Sequence, residues 1–119
     1  MSLPGNYNDT HLLVDDFKRI AWLDGRPMIL TRKEFDLLAT LVGNATEIVR
    51  REVLMSQIWG YSMEIRTRTL DVHIRRLRKK LGQFGDTYIE TIFGVGYRFQ
   101  PYRESRPAPT WPGLLAASA

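Results

Sequence analysis

The sequence predicts an α+β domain in which a small antiparallel sheet, three helices and a closing β-hairpin share one core. Three observations carry that expectation. The pair Asp24-Gly25, flanked by apolar residues, marks a hairpin, because a type I′ turn needs positive φ at both central positions. The run Thr31-Arg32-Lys33-Glu34 has the form of a capping box and starts a helix. From Arg66 to Leu81, the residues Leu70, Ile74, Leu77 and Leu81 fall at i, i+4, i+7 and i+11, the stripe of a helix lying on a core.

A chain of 119 residues with 44% hydrophobic composition can bury one core but not two. It has no cysteine, which excludes disulfides, thiol catalysis and cysteine zinc sites together. His11 and His73 are the only histidines and lack companion ligands, so neither a metal nor another cofactor is expected, and no enzymatic activity is read from the chain. No apolar run approaches the ~20 residues that span a bilayer, and no basic segment leads into an apolar one at the N-terminus. The expectation is a cytoplasmic protein without a membrane partner.

Taken in order, residues 4 to 10 are turn formers except for Tyr7, and structure is expected to begin near His11. From His11 to Leu30 short β-rich runs are broken at Asp15-Asp16 and at Asp24-Gly25. Thr31 then caps a helix with Glu34 at N3, and Leu30 and Phe35 occupy the positions of a hydrophobic staple. Phe35, Leu38, Ala39 and Val42 share one face of it, and Gly43 is the expected left-handed terminator. After Ile48-Val49, a second short helix buries Leu54 and Ile58, places Trp59 at its end as a core plug and stops at Gly60. Beyond Leu81-Gly82 and the turn material Gln83 to Asp86, two β-rich runs surround Gly94-Val95-Gly96. That glycine pair joins strand to strand rather than strand to helix, which argues against a phosphate loop. Tyr97 and Phe99 alternate with Arg98, aromatics inward and cation outward. Residues 103–119, with Pro107, Pro109 and Pro112, read as a disordered tail. The organisation expected is therefore a disordered or tag-derived N-terminus at 1–10, one domain at 11–102 and the tail.

The segment from Arg66 to Leu81 also concentrates charge. It holds seven of the seventeen Lys and Arg residues against the single carboxylate of Asp71, whose expected partner is Arg75 or Arg78. A merely solvated face would interleave Glu and Lys. Here Arg outnumbers Lys by five to two, and the planar Arg fork suits guanine edges and phosphates. Val72 lies in the middle of the charged sector, useless for solubility but suited to a thymine methyl. The helix is expected to read duplex DNA, with Val72 and Arg76 at base edges and Arg68, His73, Arg75, Arg78 and Lys79 on phosphates. Docking of an acidic protein surface through the same helix is the alternative.

Four stretches in order, LTRKEF, a short helix ending IWG, RTLDVHIRRLRKKL and YIETIFGVGYRF, resemble the winged helix-turn-helix output domain of OmpR/PhoB-type response regulators over about residues 12 to 100. The resemblance implies an N-terminal sheet of about four short strands, three helices with the third in the major groove, and a C-terminal hairpin wing near the adjacent minor groove. It adds Thr69, Thr91, Phe93 and Arg98 to the candidate DNA-binding residues. It implies control of transcription, with Gly60, Tyr61, Ser62, Met63, Glu64 and Ile65 as the loop that meets RNA polymerase, tandem binding on promoter DNA, and a receiver domain answering a sensor histidine kinase in the full-length protein. No receiver lies in these residues, so an excised effector half is the first expectation and a stand-alone variant the alternative. Phe93 stands where the family often has arginine. Packing into the base of the wing is the first expectation for its ring; lying against sugars or wedging between base steps are the others.

Overall fold

In a computed structural model of the chain, residues 6–60 and 67–103 are described. The strands β1 (Tyr7–Asn8), β2 (Leu12–Asp15), β3 (Ile20–Leu23) and β4 (Arg26–Pro27) form one antiparallel sheet in sequence order. Pairing of Leu23 with Arg26 leaves Asp24 and Gly25 as a two-residue loop, with φ of 50° and 78°, the doubly positive conformation expected of a type I′ turn. Alternation sends Leu12, Val14 and Ala21 inward and turns the cross-strand partners Leu13 and Trp22 outward.

The sheet starts earlier than the turn-rich sequence suggests, since Tyr7 pairs with Val14. The cause lies far along the chain. Asp9 accepts from the amides of His11 and Leu12 at 2.7 and 2.8 Å, from Tyr7, and from the hydroxyl of Tyr88 at 2.8 Å. Burial opposes the charge of this carboxylate, but the hydrogen bonds from Tyr7, the two amides and Tyr88 outweigh it and hold its pKa below the ordinary aspartate value.

Helix α1 (Arg32–Gly43) begins with the expected capping box: Thr31 Oγ1 accepts from the Glu34 amide at 3.2 Å, and the Glu34 carboxylate accepts from the Thr31 amide at 2.9 Å. Its apolar stripe is broader than the spacing suggests, because Leu37 and Leu41 are buried together with Phe35, Leu38, Ala39 and Val42. Gly43 is the last helical residue and not the left-handed terminator. The positive φ falls at Thr46, at 72°, whose amide bonds the Phe99 carbonyl at 2.8 Å and turns the chain into β5 (Ile48–Arg50).

Helix α2 (Arg51–Trp59) buries Leu54 and Ile58 and stops at Gly60, with φ of 83°. Helix α3 (Thr67–Lys80) follows. Where turn and strand are expected, residues Gly82–Phe84 make a 3₁₀ turn and Gly85–Tyr88 a one-turn helix, α4. Packing decides this against the β propensity of Thr87 and Tyr88. Tyr88 is fully buried with its ring stacked on Phe99, centroids 5.4 Å apart, and Gly85 passes so near α3 that a Cβ would lie 2.5 Å from the Arg78 carbonyl oxygen.

Strands β6 (Ile89–Ile92) and β7 (Gly96–Phe99) form the C-terminal hairpin, and β5 joins β7 to make a three-stranded sheet, a role the sequence does not announce for Ile48-Val49. Gly96 is required at that crossing, since a Cβ would stand 2.0 Å from the Val49 carbonyl oxygen. One hydrophobic cluster runs through both sheets and the three long helices. This is the winged helix-turn-helix architecture. The expected tail falls outside the described residues from 104 onward.

Candidate nucleic-acid interface

Helix α3 sorts its side chains by sector as the spacing requires. Leu70, Ile74, Leu77 and Leu81 are at most 1% exposed. Arg68, Arg75, Arg76 and Lys79 stand exposed on the opposite side, with Thr69 and Val72 half-buried. None of these four cations makes a hydrogen bond or ion pair among the described residues. Like charges are thus held side by side on a rigid element, an arrangement that invites an anionic partner.

Asp71 does not relieve that repulsion within its own helix. Its partner is Arg51 at the start of α2, in a bidentate pair with Nη1 at 2.8 Å and Nη2 at 3.0 Å, and the Tyr97 hydroxyl donates to Oδ1 at 2.6 Å. Arg75 acts on it only through space. The bonds from Arg51 hold the carboxyl below the usual aspartate range, against the opposing effect of partial burial and with help from Tyr97. One acid therefore locks α3 to α2 and to β7.

Two further α3 cations are turned inward. Arg78 donates to the Ile89 carbonyl from Nε at 3.2 Å and from Nη2 at 2.7 Å, and Nη2 also reaches Thr91 Oγ1 at 2.7 Å. Its guanidinium sits 5.8 Å from the centre of the Tyr97 ring. The donors that the sequence assigns to phosphate, and the hydroxyl of Thr91, are used to brace β6 against α3. Lys80 reaches back to the buried Glu34 carboxylate at 2.6 Å, tying α3 to the cap of α1. Burial raises the pKa of Glu34, but the bonds from Lys80 and the Thr31 amide outweigh it and the net shift is downward.

His73 likewise belongs to the packing. Its Nδ1 lies 2.8 Å from the Thr69 carbonyl, an acceptor, so this nitrogen carries the hydrogen; the ring stands T-shaped to that of Trp59, centroids 4.9 Å apart. Trp59 is half-buried against the core, as a plug should be.

The wing differs from its expected form in two respects. Arg98 faces outward but is paired with Glu90, directly opposite it in register, at 2.9 Å. Phe93 does not pack into the base of the wing: it is 90% exposed. The reason is the turn. The Val95 amide bonds the Ile92 carbonyl at 2.9 Å and Gly94 takes φ of 78°, so Phe93 occupies the second position of a tight turn and points away from the sheet that would cover it. Of the loop assigned to RNA polymerase, Gly60 is the helix stop, and Tyr61, Ser62, Met63, Glu64 and Ile65 lie outside the described residues. The pairs that fix the site, Arg51–Asp71–Tyr97 and Arg78–Ile89, join residues 11 to 26 positions apart, and no short-range pattern signals them.

Residues 25–99 match the family model described as transcriptional regulatory protein, C terminal. Response regulator ArlR of Staphylococcus saprophyticus is 49% identical over 76 residues, covering 63% of this chain and 34% of that protein, so the chain spans about a third of this relative's length. The structure resembles that of response regulator DrrB, an OmpR/PhoB homolog of Thermotoga maritima, with a TM-score of 0.74 and 34% identity, over 82% of this chain and 45% of that one. It also resembles the RstA DNA-binding domain of Klebsiella pneumoniae, solved in complex with the RstA box, with a TM-score of 0.71 and 32% identity over 81% and 97% of the two chains. The sector of free cations, the braced hairpin and these matches agree, and the chain belongs to the C-terminal DNA-binding domains of OmpR/PhoB-type response regulators.

Proposed function

We propose that this domain binds double-stranded promoter DNA sequence-specifically, with α3 in the major groove and the β6–β7 wing beside the adjacent minor groove, as the effector half of a cytoplasmic two-component regulator. The observation that carries the reading is the outer face of α3, where Arg68, Arg75, Arg76 and Lys79 have no protein partner among the described residues and surround Val72. A major groove admits one α-helix, and an apolar residue among arginines offers it both a thymine methyl and guanine or phosphate oxygens. Arg76 and Val72 are the readers of base edges; Arg68, Arg75 and Lys79 are the phosphate contacts. A receiver domain, its sensor kinase, RNA polymerase at residues 60–65 and a tandem second copy belong to the same proposal, supported by the family and by relatives longer than this chain.

The test is binding to duplexes selected from a random pool, titrated at several salt concentrations. Three phosphate contacts give a log-log slope of about −3 per domain. Arg76→Ala is expected to relax selectivity at one or two base pairs by about 1 to 3 kcal/mol, whereas Lys79→Ala weakens all duplexes alike and lowers the slope by about one unit. Equal losses on selected and random duplex for Arg76→Ala would remove it from the readers. A salt-independent response on every duplex would favour the docking of an acidic protein instead.

A further inference from the structure

The tip of the wing is the part of this surface that charge does not explain. Its residues Ile92, Phe93, Gly94 and Val95 bear no polar side chain, and Phe93 stands 90% exposed at their apex. The cations that could have made the wing an electrostatic contact are engaged elsewhere, Arg98 with Glu90 at 2.9 Å and Arg78 with the Ile89 carbonyl and Thr91 at 2.7 Å. The mount is stiff. β7 is paired on both sides, by β5 and β6, and Gly96 presses against the Val49 carbonyl. Tyr97 is bonded to Asp71 of α3, and the Arg51 amide holds the Val95 carbonyl at 3.0 Å. A large apolar ring is therefore presented to solvent on a braced hairpin attached to the same helix that carries the free cations.

We propose that Phe93 is an apolar wedge that enters the minor groove beside the α3 site, opens one base step and bends the duplex. The inference rests on the duplex reading above and adds a way of reading sequence that α3 cannot supply. The minor-groove edges of base pairs are nearly degenerate, so a side chain without donors gains nothing from them directly. What it can sense is the cost of unstacking, which is least at pyrimidine–purine steps such as TA and CA/TG. An arginine at this position would respond to the negative potential of a narrow A·T tract; a phenylalanine selects instead for a step that yields. The rigidity of the hairpin matters here, because a wedge on a loose loop would fold back before it separated two bases.

The test uses the 119-residue chain and its best selected duplex, with 2-aminopurine placed at successive positions of the flank beside the α3 half-site and a donor–acceptor dye pair on the duplex ends. Wild type is expected to raise 2-aminopurine fluorescence at one step and to shorten the end-to-end distance. Phe93→Ala abolishes both signals and weakens binding on the order of tenfold where the flank holds a TA or CA step, with little change where it holds an A-tract. Phe93→Arg shifts the preference towards the A-tract. The ring is exposed, so the alanine variant keeps its melting temperature, and Phe93→Leu, a smaller wedge, gives an intermediate response. The proposal is overturned if wild type leaves 2-aminopurine quenched at every step, or if Phe93→Ala binds all flanks as wild type does. In either case, a retained salt slope and a retained selectivity loss in Arg76→Ala leave the duplex reading standing. Absence of salt-dependent binding to any duplex by wild type would sink both. A change of oligomeric state in Phe93→Ala, with DNA binding intact, would assign the ring to a contact between copies and reject the wedge.

Discussion

On the outer face of α3, four cations stand within about three turns of helix and find no partner among the described residues, while on the wing Arg98 lies opposite Glu90 and is neutralised by it. Both places present arginine on an outward face, and a sequence reading gives them the same role. The difference comes from where the acids are. Asp71 could have neutralised its neighbours on α3, but Arg51 and Tyr97 hold it against α2 and β7, so the repulsion among the outer cations survives. An arginine locates an interface only when the fold declines to use it. Arg78 makes the point within a single helix: it sits between Arg76 and Lys79 in sequence, yet its guanidinium is spent on the Ile89 carbonyl and Thr91.

The largest effect should come from removing what both regions share. Leu77 is fully buried on the inner side of α3. Leu77→Ala is expected to cost about 2 to 5 kcal/mol through lost transfer free energy and a cavity, read by urea or thermal unfolding, and DNA binding should fall only as the folded fraction falls. An unchanged melting temperature would mean that α3 is not docked by this stripe.

Next in size is the contrast between two arginines two residues apart. Arg78→Ala leaves the Ile89 carbonyl and Thr91 without their charged donor, and a destabilisation of about 1.5 to 3 kcal/mol is expected, with weaker binding as the wing loosens. Arg76→Ala, which removes no hydrogen bond or ion pair among the described residues, should stay within about 0.5 kcal/mol of wild type in stability while losing selectivity. The comparison breaks if the two results are exchanged, for then the brace would be Arg76 and the reader Arg78.

Local signals in the sequence were strong where one element decides its own fate. The Asp24-Gly25 turn, the Thr31/Glu34 box and the Leu70, Ile74, Leu77, Leu81 stripe depend on residues within a few positions, and all three are present. The early start of the sheet at Tyr7, the helical turn at Gly85–Tyr88 and the third strand at Ile48–Arg50 were not legible, since each depends on a distant partner: Tyr88 for Asp9, Phe99 for Tyr88, and β7 for β5. The site divides in the same way. Periodicity found the outer face of α3, but no spacing rule shows that Arg78, His73 and Lys80 turn back into the protein, or that the apex of a tight turn leaves Phe93 uncovered.

The smallest effect concerns the acid that keeps the two regions distinct. Asp71 has its folded pKa depressed chiefly by the bonds from Arg51, against partial burial and with support from Tyr97. A depressed carboxylate contributes stability that is present above its unfolded value of about 3.9 and is lost as pH falls through the folded value. The window is therefore below about pH 4, and the group is 44% exposed, so solvent screening keeps its share to at most about 1 kcal/mol. Asp71→Asn keeps an amide oxygen that can accept from Arg51 Nη1 and Tyr97, but its Nδ2 is a donor and cannot accept from Arg51 Nη2, so the variant removes the charge and one of the two Arg51 bonds. Its stability should fall slightly at neutral pH and decline less steeply than wild type between pH 4 and pH 2, the remaining slope belonging to Asp9, Glu34 and Glu90, whose pKa values are also lowered. If the acid limbs of variant and wild type superimpose, the Arg51 pair is not held in solution. The free charge of the α3 face would then need another explanation, because Asp71 would be available to Arg75 on its own helix.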